Sequence, residues 1–252
     1  MFENISKSGA TALLFFACLL AAPIASAMTV RPVVLDLKTS GRGMNQVISV
    51  QNTSVDAIPV ELTAQELIID AEGAHPTGKD PGDLVIFPPQ AVIAPGATQT
   101  FRVQYVGDPA LRTSKHYYIT VAQLPVKLSS AKAGVQIVYN FAVLASVGPD
   151  GVKPSLHVSS AAIGKDAAGK PVPVITIAND SATYGYLAHG ELDIVEKDSA
   201  GRTVFTKSLT GPEIAQSVGM GLVDPGLERK FTLPIALPSA AGTVSAEFKP
   251  AN

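Results

Sequence analysis

From Thr29 onward, apolar and polar residues alternate in short runs separated by Gly, Pro, Asn and Asp. A period of two places successive side chains on opposite faces of an extended chain, so the pattern predicts β-strands. In the first half these fall at 29–37, 44–52, 58–69, 84–87, 91–93, 99–105, 117–123 and 135–147. About seven to eight strands in roughly 120 residues is the arithmetic of an immunoglobulin-like sandwich, here without its Cys-Trp-Cys signature. No stretch shows helical periodicity, and helix is not expected.

Gly148-Pro149-Asp150-Gly151 is the densest cluster of breakers in the interior and predicts a hinge. Beyond it, strands are expected at 157–161, 172–179, 186–196, 203–209, 229–233 and 243–248, with a hairpin turn at Lys197-Asp198-Ser199-Ala200-Gly201. The fold class is therefore all-β: two sandwiches, over 28–148 and 149–252, with no short-period repeat. Ahead of them, Lys7 precedes an apolar run, Leu13 to Leu20, followed by Pro23 and Ala25-Ser26-Ala27. That order predicts a secretory signal peptide over 1–27, cleaved after Ala27, and a protein of the periplasm or the cell exterior. The apolar run is short for a membrane span. Lipid attachment at Cys18 is disfavoured by the bulk of Phe15-Phe16-Ala17. The single cysteine leaves with the signal, so no disulfide or thiolate site is expected in the mature chain.

One segment stands apart. Val135 to Val147 reads V-Q-I-V-Y-N-F-A-V-L-A-S-V, with no charge, proline or glycine. Val135, Ile137, Tyr139, Phe141 and Val143 form a wholly apolar row on one face. Such a strand is an aggregation hazard when left uncovered. Two readings fit: a central strand buried on both sides, or an edge strand that a partner covers. Its place just before the hinge favours the second, because edges are normally blunted by charge or proline and this one is not.

Composition narrows the function. With a net charge of −2 the chain has no field for gathering nucleic acid or an anionic surface. Aromatics make up 6% and Trp is absent, which argues against a base-stacking or sugar-binding platform. His75, His116, His157 and His189 lie in four separate regions and read as surface or loop residues rather than metal ligands. Asp70 with Glu72 and Asp80 with Asp83 fall in turn-rich sequence and read as solvated bends. There is no G-x-S-x-G elbow and no phosphate loop. No enzyme, cofactor, metal site or small-molecule substrate is indicated.

Several motifs, in order, carry a resemblance. Asp83-Leu84-Val85-Ile86-Phe87-Pro88-Pro89, then Ile93-Ala94-Pro95-Gly96, then Gln99-Thr100-Phe101-Arg102-Val103 make up the first part. Tyr117-Tyr118-Ile119, Leu124-Pro125 and the run from Val135 to Pro149 follow, with Val174 to Asn179, Val223-Asp224-Pro225-Gly226 and Phe231 in the second half. Together they resemble the periplasmic pilus-assembly chaperones of the chaperone–usher pathway over essentially the whole mature chain. The resemblance implies two immunoglobulin-like domains in a boomerang, binding pilin subunits that lack a strand and delivering them to an outer-membrane usher. Strand addition of this kind is a recognised mode of peptide capture, and chaperone–pilin complementation is one of its named cases. It implies Val135, Ile137, Tyr139, Phe141 and Val143 as subunit-binding side chains, and an arginine, Arg31 or else Arg102, as anchor for the subunit's carboxylate. The donor-strand lysine of better-known members is missing, with Leu144 about where it would stand. Gln123 and Gly148 replace the residues said to pair the two domains. These departures resemble the archaic or alternative branch. The alternative is a secreted structural or adhesive sandwich.

Overall fold

A computed structural model describes residues 28–71, 73–125 and 137–251. The expected signal peptide, 1–27, and Val135 lie outside the described residues. In chain order the first half contains β1 (Met28–Arg31), β2 (Val34–Lys38), β3 (Asn45–Asn52), β4 (Ile58–Ile69), β5 (Ala74–Pro76), β6 (Leu84–Phe87), β7 (Gln90–Ile93), β8 (Thr98–Tyr105), β9 (Lys115–Gln123) and β10 (Asn140–Gly148). The strand expected over 29–37 is therefore two. Pro32 has no N–H for a ladder, and there the chain leaves one sheet for the other. β1 joins a four-stranded sheet in the order β1-β3-β8-β6. β2 joins a six-stranded sheet, β2-β10-β9-β4-β5, in which β7 also pairs with β4. The inward rows of the two sheets, among them Ile48, Val50, Phe101 and Val103 against Val60, Ile119, Val121 and Ala145, form the first core.

The second half contains β11 (Leu156–Lys165), β12 (Pro171–Asn179), β13 (Gly185–Tyr186), β14 (Gly190–Lys197), β15 (Thr203–Leu209), helix α1 (Gly211–Val218), β16 (Leu222–Val223), β17 (Glu228–Thr232) and β18 (Thr243–Pro250). Sheets β11-β12-β17 and β15-β14-β18, with the short pair β13-β16, enclose a second core around Ile175, Ile177, Leu192 and Ile194. The helix corrects the sequence reading. Eight residues are too few to show a clear period, but its start is written out: the Glu213 carboxylate accepts bonds from the Thr210 N–H and hydroxyl, each at 2.8 Å, and Pro212 follows in the first turn.

Both halves close with the same device. The amide of Asn52, wholly buried, donates to the carbonyls of Asp56 (2.8 Å) and Ile93 (2.9 Å), while its oxygen accepts from the Ser54 N–H and hydroxyl. Asn179 repeats this with Thr183 (2.8 Å), Val223 (2.9 Å) and Ser181. In each case the adjoining Pro-Gly turn, at Gly96 or Gly226, returns its N–H to the asparagine carbonyl at 2.9 Å. Both glycines sit at positive φ, where a β-carbon is disfavoured. The molecule thus carries an internal repeat, too long in period for the short-range scan to register.

A third apolar cluster joins the halves. Leu67 and Ile69 of β4 pack with Tyr184, Tyr186 and Leu222, and half-buried Val34, Tyr118, Leu144, Met220 and Leu227 complete it.

Candidate functional site

β10 has two different halves. Along one side it pairs antiparallel with β9 throughout, from Asn140 opposite Ala122 to Val147 opposite Lys115. Along the other it pairs in parallel with β2, but only from Leu144, opposite Val34, to Gly148, opposite Lys38. The Leu144 N–H donates to the Val33 carbonyl at 3.0 Å, and this marks where the cover begins. Asn140 to Val143 have no strand on that side among the described residues. The two sequence readings of this segment therefore each describe one half: edge up to Val143, central strand beyond it.

Ahead of Asn140 the chain continues the line. The Gln123 N–H donates to the Tyr139 carbonyl at 2.9 Å, and the Tyr139 N–H donates to Gln123 Oε1 at 3.4 Å. Ile137 is 64% exposed and Val138 44%. Tyr139 and Phe141 are half-buried against the rim of the first core. Val143 differs from the expectation: it is wholly buried, because its side chain points into the first core between the two sheets. Its side chain belongs to this protein's own core.

Arg31 and Arg102 are both exposed and stand on the outer face of the four-stranded sheet, where alternation turns them away from Val30, Phe101 and Val103. Arg102 lies between Val47 and Phe87 in register, and Arg31 lies opposite Ser49. Neither has an ion pair among the described residues. The structure does not bring them to β10's partner-facing row.

The junction of the two halves is polar as well as apolar. His116 is 3% exposed, not a surface residue, and it bridges the halves: Nδ1 lies 2.8 Å from Ser146 Oγ of β10, and Nε2 lies 2.8 Å from Asp224 Oδ1. Asp36 of β2 accepts from the Tyr184 hydroxyl (2.7 Å) and the Tyr186 hydroxyl (3.2 Å). Burial, and then the Asp36 charge, push both phenols above their ordinary range. The His116, Tyr184 and Tyr186 rings meet edge to face at 5.5 and 5.4 Å. These contacts join the two halves. Alternation along β9 turns Tyr117, Ile119 and Val121 into the first core and His116 away from it, so its burial comes from the second half and had no local signal in the sequence.

Asp83 is also not a solvated bend. Its Oδ2 accepts from Lys115 Nζ (2.9 Å) and the Tyr117 hydroxyl (2.7 Å). Burial raises this carboxyl, but the Lys115 and Tyr117 bonds outweigh it and hold it below the usual carboxylate value. His75 and His157 make exposed pairs with Asp70 and Asp180. No group of His, Cys, Asp and Glu among the described residues could hold a metal ion.

A two-domain β-sandwich protein with an apolar strand half uncovered, and without a catalytic constellation among its described residues, is the class that this geometry defines. Residues 28–153, half of the chain, match the family described as "Pili and flagellar-assembly chaperone, PapD N-terminal domain". The chain belongs to that family of assembly chaperones, which are not enzymes. No curated protein matches the sequence. Among solved structures, the class 5 fimbriae chaperone CfaA is 15% identical, covering 87% of this chain and 98% of that one with a TM-score of 0.53. A chain from a chaperone–tip adhesin complex of CFA/I fimbriae biogenesis is 14% identical, covering 90% and 100%, with a TM-score of 0.52. The chaperone YadV is 11% identical, covering 88% and 91%, also at 0.52. At these identities the likeness is one of fold: two immunoglobulin-like domains.

Proposed function

We propose that this protein is a periplasmic chaperone that lends the open half of β10 to a pilus subunit lacking a strand, and then passes the subunit to an outer-membrane usher. The mature chain begins at Met28, and the two domains divide between Gly148 and Pro149. The observation that carries this reading is the change of cover at Leu144. Main-chain groups of Asn140 to Val143 have no strand neighbour on one side among the described residues, while Ile137, Tyr139 and Phe141 remain accessible beside them. A solved relative of this fold stands in a complex with a tip adhesin, which supports a subunit as the partner. Each of the three side chains gains roughly 1.5–3 kcal/mol on full burial, less for the two already half-covered, before the ordering cost of association. Val135 is proposed as a fourth contact. Val143 is not, because it fills its own core. Arg31 and Arg102 are not used, because they face outward from the other sheet.

The test is co-expression in the periplasm with pilus subunits of the same source, comparing Ile137→Asp with the unaltered chain. Ile137 is mostly exposed, so the variant is expected to keep its melting temperature and to lose subunit recovery by tenfold or more. Equal recovery would overturn strand donation through this edge.

A further inference from the structure

β9 grips β10 only as far as its own sequence allows. In an antiparallel pair, residues that exchange both main-chain bonds recur at every second position. Asn140 stands opposite Ala122, so Tyr139 stands opposite Gln123. The Gln123 N–H makes the first bond of that pair, to the Tyr139 carbonyl at 2.9 Å. The next such pair outward would be Ile137 with position 125. That position is proline, which has no N–H to give. Tyr139 is therefore the last residue of the uncovered segment that β9 can hold by its main chain.

The return bond at this last pair is unusual. A regular ladder would draw the Tyr139 N–H to the Gln123 carbonyl, but here it donates to the Gln123 side chain, at Oε1, 3.4 Å away. The Leu124 N–H points to the other side, to the Pro59 carbonyl at 2.9 Å. Among the described residues Ile137 and Val138 make no hydrogen bond, and they are 64% and 44% exposed. The hydrogen bonding that fixes the outer end of the segment therefore passes through Tyr139, and one side chain supplies half of it.

Resting on strand donation as proposed above, we infer that Gln123 is a positioning residue for the lent strand. It acts through the Tyr139 main chain. Its side-chain oxygen stands in for a carbonyl and keeps 137–139 in line with β10, so that Ile137 meets a subunit already extended. Order set before contact lowers the ordering cost of association. Because a side chain and not a carbonyl makes this bond, a substitution can remove it and leave the β9–β10 ladder intact.

The experiment uses the full chain and, as probe, the subunit recovered in the co-expression above. Gln123→Leu keeps the volume and loses the acceptor, whereas Gln123→Glu keeps an acceptor at the same reach. Gln123→Leu is expected to keep the melting temperature within error and to speed exchange of the Tyr139 amide hydrogen at least threefold. It is expected to weaken subunit binding by about threefold to tenfold, the range for loss of one hydrogen bond. Gln123→Glu is expected to hold both quantities within twofold of the unaltered chain. Should Gln123→Leu lose stability, Gln123→Asn, which withdraws the same amide by one carbon, decides in its place. Unchanged Tyr139 exchange or unchanged binding by Gln123→Leu, or equal losses from Gln123→Glu, would overturn the positioning role while Ile137→Asp still shows strand donation. If Ile137→Asp binds normally, strand donation falls and the role of Gln123 falls with it.

Discussion

Single residues decide whether each sandwich closes. Asn179 satisfies two buried carbonyls and holds Ser181 in place, and Asn52 does the same work in the first domain. Asn179→Ala removes both donors, at a cost of about 1–3 kcal/mol for each buried group left unpaired. Urea unfolding is expected to show a lower midpoint with an unchanged slope, and a midpoint within error of the unaltered chain would refute the bracket. This pair was legible in principle. Asn-x-Ser followed by Ile or Val, any residue, Pro and Gly occurs at both places, 41 and 44 residues apart from asparagine to the accepting carbonyl. A search for short periods misses a spacing that long. Glu196 runs against its residue type: alternation puts it inward on β14, wholly buried, where neither carboxylate oxygen has a hydrogen-bond partner among the described residues.

Among elements, several short runs bounded by turn residues were read to the residue, as β4, β6 and β15 show. The failures have physical causes. Pro32 split one expected strand between two sheets, α1 was shorter than the period that would announce it, and burial of β10 changes along its length because of a strand far away in sequence. Alternation reports which face is apolar, not which side is paired, so the limit of the open edge at Leu144 could not be read. The Asp83–Lys115–Tyr117 group ties the start of β6 to β9, and it predicts acid sensitivity. A carboxyl held below its unfolded value contributes stability above the unfolded range, about pH 4, and that contribution is lost as pH falls through the folded value. Asp83→Asn is expected to lower stability at pH 7 and to flatten the decline between neutral and acid pH, measured by urea titration at each pH. A parallel decline in both chains would remove Asp83 from the account.

At the scale of the whole molecule, His116 and Asp36 make the two domains one body. His116→Leu leaves Ser146 and Asp224 without their partner in a nearly dry site, at about 1–3 kcal/mol. Calorimetry is expected to resolve one transition for the unaltered chain and two for the variant, and a single unshifted transition in the variant would exclude this contact as the coupling. This junction was not legible in the sequence, since Asp224 lies 108 positions from His116. Asp224 lies next to Pro225-Gly226, in the very turn that Asn179 fastens, whereas the matching place in the first domain holds Ala94. One loop thus serves as both latch and handshake. Newly made chain would have to finish its second module before the first could grip it, so a molecule whose two modules are joined has already passed a proofreading of its own folding.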